Sequence, residues 1–249
     1  MIDEAVADCP SRPVFVLHHV PPKGTTDGSE SSGDPRLTKI LKKYPQVVNF
    51  SGHTHGSLRN ERLIWQDGFT CVNLGSLSSW QGSFRGRVAA SKRSWDCVCL
   101  ESYLDRLIVR RYSLYDGTEI GAHDPWTIVW GRLDDYCLGR RAAKARRAQF
   151  APDARLTVKA DSDPMRKLVV RIPSANASRE ILGYRLTIAR MQDGYAETLA
   201  VRETCGDFYR EESVPAQRFF TDEIPASFFD KGVNYRFSVV PYGFFGNEG

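Results

Sequence analysis

Nothing in this sequence is extreme, and its shortages are informative. No run of about 18 apolar residues occurs, so no membrane-spanning helix is expected. Charge of one sign is not in excess: 34 Lys and Arg stand against 30 Asp and Glu, a formal +4 over 249 residues. That balance is too mild to indicate nucleic acid or an anionic membrane surface as a partner. Cysteine is too sparse for a disulfide scaffold, and Cys9, Cys71, Cys97, Cys99, Cys137 and Cys205 include no CxxC spacing for zinc. Cys97 and Cys99, two apart, would share one face of a strand and sit too close for an easy bridge. The cysteines therefore read as packing residues, which favours a reducing, cytoplasmic setting. The opening Met1-Ile2-Asp3-Glu4-Ala5 is acidic and no apolar h-region follows, so no secretory signal is read in this chain. What remains is the composition of a soluble globular protein, 41% hydrophobic and 26% charged, of one or two domains.

Along the chain, Pro13-Val14-Phe15-Val16-Leu17 is a continuous apolar run that suits a strand covered on both faces. A loop rich in Pro, Gly, Ser and Thr follows from His18 to Gly33. Asp34-Pro35 then marks a helix start, and Leu37, Ile40, Leu41 and Tyr44 recur at helical spacing, which predicts a helix over 35–44. Val47-Val48-Asn49-Phe50 reads as a second buried strand. Leu63-Ile64-Trp65 and Phe69-Thr70-Cys71-Val72 flank the hairpin dipeptide Asp67-Gly68. Cys97 to Leu100 and Leu107 to Val109 predict a second hairpin turning near Asp105, and residues 75–94 read as a long surface loop. Residues 116–154 read as a linker wrapping back on the first domain, with Arg140, Arg141, Lys144, Arg146 and Arg147 as a solvated helical face. Strand-like runs at 156–158, 168–170, 184–188 and 235–240 predict a β-sandwich over 155–249.

The chemistry gathers on histidine. Four of the five histidines form two tight groups, His18-His19 and His53-Thr54-His55, each where an apolar strand gives way to a loop. Ligands in open α/β sheets collect at the carboxyl ends of strands. In an extended segment His53 and His55 would point the same way, and Gly52 and Gly56 allow a close backbone approach. Imidazoles arriving from two strand ends are an arrangement for a divalent metal. One cation held by three histidines is the simplest such site, although no general base can be named beside it.

Gly52-His53-Thr54-His55 resembles the GHxH signature of calcineurin-like metallophosphoesterases. Val14 to Pro22, with His19-Val20-Pro21, resembles the strand and His-x-Pro loop that precede it in that family. Val72-Asn73-Leu74-Gly75-Ser76 is similar to the Asn-x-Gly-Ser segment that follows. The ordered set covers roughly residues 12–130, and the tail resembles a fibronectin type III-like module. The resemblance implies an α/β fold, part of a four-layer αββα sandwich that is mostly β in this portion, followed by an all-β sandwich domain. Residues 1–115 would be the C-terminal part of the metallophosphoesterase domain. It implies a dinuclear centre in which His19 and His53 share one divalent metal and His55 reaches the other, with His18 as the fallback for His19. Imidazole ligands suit Mn, Fe, Zn and Co alike. Two such ions would activate a water for in-line attack on a phosphate ester. Phosphodiesters, nucleotides and phosphoproteins all fit the motifs.

The family's Asp-x-His, Gly-Asp-x-x-Asp and Asn-His-Glu/Asp motifs do not occur in the eighteen residues before His19. The chain is therefore expected to be a fragment whose parent carries the N-terminal half of the domain, and to be inactive alone. The alternative is a non-catalytic binding or scaffold protein derived from the same fold. Arg85, Arg87, Lys92 and Arg93 are candidates to meet a substrate phosphate, against the plainer reading of a solvated loop. His123 reads as a loop residue, and Trp65, Trp80, Trp95, Trp126 and Trp130 as core or interdomain anchors. Asn176-Ala177-Ser178 fits a glycosylation sequon, and nothing in this sequence indicates a secretory route.

Overall fold

The computed structural model describes residues 1–78, 95–160, 167–176, 181–209 and 216–246, and it divides into two compact units between Lys144 and Ala145. In the first unit, helix α1 (Ile2–Asp8) leads to strand β1 (Val14–Leu17). The one-turn α2 (Ser29–Ser32) and helix α3 (Pro35–Leu41) then connect to β2 (Val47–Ser51), followed by β3 (Ile64–Gln66) and β4 (Thr70–Asn73). α3 begins as its sequence directs: the Asp34 carboxylate accepts the Arg36 N–H at 2.8 Å, and Pro35 takes the first helical position. The strands form one sheet in the order β1-β2-β4-β3, parallel from β1 to β4 and antiparallel at the Asp67-Gly68 hairpin.

All five residues of β2 are buried because both faces of this strand are covered. Val47 packs with Leu41, Trp65, Phe69 and Cys71 on the side that meets Ile2 of α1 and Leu37 of α3. Val48 and Phe50 point the other way, into a core shared with Leu107, Val109, Trp126 and Ile128. These last residues belong to an antiparallel sheet of β5 (Asp96–Ser102), β6 (Arg106–Ser113), β7 (Thr118–Ile120) and β8 (Trp126–Val129). The unit is therefore three layers: helices, a mixed sheet and an antiparallel sheet.

The stretch expected as a linker wrapping back over 116–154 contains regular elements: β7 and β8, which pair with β6, and helix α4 (Leu138–Lys144). Pro125, two glycines and a polar turn hide these short strands from a periodicity reading. The basic face on α4 is also not wholly solvated. Arg141 reaches the Glu61 carboxylate and carbonyl, and Arg140 pairs with Asp134.

The second unit is β throughout. It contains β9 (Thr157–Ala160), β10 (Lys167–Pro173), β11 (Ile181–Gln192), β12 (Tyr195–Cys205), β13 (Phe219–Pro225) and β14 (Asn234–Gly243). They form two antiparallel three-stranded sheets, β13-β10-β9 and β12-β11-β14. Val170, Ile172, Phe220 and Ile224 of one sheet share a core with Tyr184, Leu186 and Ile188 of the other, so the sheets face each other. The protein as a whole is β-rich, built on several sheets, and no described helix is long and apolar enough to cross a membrane.

Candidate functional site

β1 and β2 run in parallel with Leu17 opposite Phe50, so the residues that follow them leave the sheet at the same edge. The ladder continues one step into the loops: the His18 N–H donates to the Phe50 carbonyl and the Gly52 N–H to the His19 carbonyl, both at 3.0 Å. This places two distant histidines together. The His19 and His53 rings meet edge to face at 5.2 Å, with His19 Nε2 3.3 Å from His53 Nδ1. Both side chains are exposed at the sheet edge. His18 turns away and donates from Nδ1 to the Val20 carbonyl at 2.8 Å.

The GHxH segment is a tight turn rather than the extended stretch expected from sequence. The Thr54 N–H donates to the Gly52 carbonyl at 2.8 Å, closing a γ-type turn around His53, whose φ is 67°. His55 is also left-handed, at φ 49°. Each conformation costs a non-glycine residue about 1–2 kcal/mol, and such strain concentrates where a structure needs a side chain held in an unusual direction. The turn is bonded to β4. Asn73, fully buried at the end of that strand, donates from Nδ2 to the Gly52 carbonyl and to Thr54 Oγ1, both at 2.9 Å. Its Oδ1 accepts the Gly75 N–H at 2.9 Å.

The donor set fits a divalent cation in two respects. Two imidazole nitrogens on one tetrahedral cation, with bonds of about 2.0–2.1 Å, lie about 3.3–3.4 Å apart; the His19–His53 pair already has that separation. His55 Nδ1 is buried without a hydrogen-bond partner, a state that native structures rarely leave unanswered. The three rings do not converge, however. Among the described residues no three His, Cys, Asp or Glu side chains group closely enough to hold one ion. His19 and His53 pair, and His55 is not grouped with them.

No protein-family model, curated protein or solved structure matches the chain. The site thus rests on its own geometry.

Behind the turn, burial pushes the Cys71 thiol up to about 12, against weaker opposing bonds from Thr25 and Ser51, so it stays protonated at neutral pH. It donates to Asn49 Oδ1 at 3.4 Å and serves the core, as the sequence suggested. Two anchors escaped the sequence reading. Asp96 Oδ2 accepts the Leu58 N–H at 2.8 Å, while its own N–H donates to the Ser76 carbonyl at 2.8 Å, tying down the segments after both site loops. Arg111 donates to the Leu58 carbonyl at 3.0 Å and to Glu61 at 2.6 Å. Both follow from the β5–β6 register, which no local motif announces. Arg85, Arg87, Lys92, Arg93 and Trp80 lie outside the described residues. Trp65 and Trp126 are buried, Trp95 is exposed, and His123 lies on an exposed turn.

Proposed function

We propose that this chain contributes the histidine half of a dinuclear metal site in a phosphoesterase of the calcineurin-like class, with a fibronectin type III-like sandwich attached. The observation that carries this reading is the pairing of His19 with His53 at the carboxyl ends of two adjacent parallel strands. Its supports are the strained turn that orients His53 and His55 and the unpartnered nitrogen of His55. A bound divalent cation supplies positive charge against phosphoryl oxygens and acidifies a water. The chain's own contribution is then to hold the His19–His53 pair at the ends of two strands, with His55 two residues further on and Asn73 and Asp96 bracing the loops behind them.

The test loads the chain with Mn²⁺, Zn²⁺ or Co²⁺ and assays a chromogenic phosphodiester and monoester. A second form carries the family's Asp-x-His, Gly-Asp-x-x-Asp and Asn-His-Glu motifs fused upstream of Met1. Metal-dependent hydrolysis that disappears in His53→Ala supports the proposal. It is overturned if neither form hydrolyses in a metal-dependent way and His53→Ala matches its parent.

One observation favours a second reading, a non-catalytic binding or scaffold role. The described residues bring no carboxylate or thiolate into a group of three with His19 and His53. That reading predicts less than one tightly bound ion per chain and no hydrolysis by either form.

A further inference from the structure

We infer that Asn73 is the positioning residue of the histidine turn: its side-chain amide, stapling Gly52 to Thr54, holds His53 in its left-handed conformation. The γ-type turn has one main-chain bond of its own, from the Thr54 N–H to the Gly52 carbonyl. A turn of this hand is rare and strained, so that single bond does not account for its persistence. Asn73 Nδ2 spends one hydrogen on the first residue of the turn and the other on the third, so His53 lies between two clamped ends. It cannot return to an extended φ without separating Gly52 from Thr54 and breaking both bonds.

The clamp is itself immobilised. Asn73 lies opposite Ser51 in the β2–β4 ladder, the Leu74 N–H donates to the Ser51 carbonyl at 2.7 Å, and Asn73 Oδ1 is engaged by the Gly75 N–H. Every hydrogen-bonding capacity of the amide nitrogen is used, and the side chain is wholly buried, so it has no alternative partner in water. From the opposite side Gly28, at φ 80°, leaves room for Thr54; a Cβ there would fall 3.1 Å from Thr54 Cβ.

The backbone part of this inference stands apart from any metal, whereas its consequence for ligand binding rests on the proposed metal site. The experiment therefore has two arms, both on the 249-residue chain. In the metal-free arm, backbone Cα and Cβ chemical shifts of residues 52–56 are compared among the parent, Asn73→Ala, Thr54→Val and Thr54→Ser. The parent and Thr54→Ser, which keeps the hydroxyl acceptor, give left-handed shifts at His53 and His55. Asn73→Ala moves His53 towards extended values, and Thr54→Val shifts it in the same direction by less. Thr54→Val, with Thr54→Ser as its control, decides the matter should Asn73→Ala not fold. Left-handed shifts retained at His53 in every folded variant overturn the inference.

The second arm titrates Co²⁺ and follows its visible d–d absorption. Removing a group that orients a metal-ligating histidine weakens binding about 10–100-fold; that loss is expected in Asn73→Ala, with recovery in Thr54→Ser relative to Thr54→Val. A parent chain that gives no Co²⁺ absorption removes the metal-site reading, while the shifts of the first arm still decide the clamp.

Discussion

His19 Nε2 stands 3.3 Å from His53 Nδ1, although 34 residues separate the two along the chain. The pairing is a product of strand register, since each follows the end of a parallel strand. His18 sits one residue earlier and is engaged with the Val20 carbonyl. This difference gives the first prediction. Saturating Zn²⁺ raises the melting temperature of the parent by several degrees, because a ligand at a hundred times its Kd stabilises by about 2.7 kcal/mol. His19→Ala and His53→Ala each abolish the rise, and His18→Ala keeps it. A rise lost in His18→Ala and kept in His19→Ala would reverse the assignment.

The segment beyond the histidine turn is held by a small ion cluster. Arg111 has a side chain only 2% exposed; it pairs with Glu61 and lies 4.2 Å over the Trp126 ring. Glu61 also accepts the Trp126 indole N–H at 3.0 Å and meets Arg141. Removing the carboxylate strands a buried guanidinium, so Glu61→Ala is expected to destabilise by about 3 kcal/mol. Arg111→Met should cost less, because Glu61 is one-third exposed and keeps Arg141. Urea unfolding of the two variants measures the asymmetry, and equal losses would show that Arg111 does not depend on Glu61.

What the sequence made legible follows from where its information is local. Val47-Val48-Asn49-Phe50 reads as a strand because a parallel strand covered on both faces is a continuous apolar run, and β2 is buried along its whole length. The paired histidines were visible for a related reason: a strand end is a local feature, and two of them carried histidine. The extended reading failed at His53 because the strain of a left-handed turn is offset from outside, by Asn73 nineteen residues downstream of Thr54. β7 and β8 stayed hidden because three or four residues between a glycine turn and a proline are too few to show a period. Asp96 and Arg111 carried no signal either, since their partners Leu58 and Glu61 are fixed only once the two sheets pack.

In the second unit the Tyr184 hydroxyl accepts the Ala175 N–H at 3.0 Å inside the shared core, and its ring stacks with Phe150 at 6.0 Å. Tyr184→Phe keeps the packing and leaves a buried amide without its acceptor. A loss of about 1–3 kcal/mol is expected. Chemical denaturation measures it, and an unchanged midpoint would show that the hydroxyl contributes nothing there.

Alkaline pH should expose Cys71. Burial raises its thiol from 9.0 to about 12 in the folded protein, and Tyr136 is pushed from 10.0 to about 12, first by burial. In the unfolded chain both groups ionise at their ordinary values, so above pH 9 the folded state holds a proton that the unfolded state has lost. Stability is then untouched by Cys71 below pH 9 and falls between 9 and about 12, by about 1.4 kcal/mol per pH unit for each such proton. Tyr136 adds to the decline from pH 10 onward. Urea midpoints measured from pH 8 upward should bend down at pH 9 in the parent, while Cys71→Ala, less stable at neutral pH because of its cavity, should bend less there, its remaining slope coming from Cys97, whose thiol burial also raises. A thiol reagent gives an independent check: the exposed Cys9 and Cys99 react at once, and Cys71 reacts only at the rate of unfolding. Rapid labelling of Cys71 in the folded chain, or a bend at pH 9 that Cys71→Ala leaves undiminished, would mean that this thiol is not the buried group the core requires.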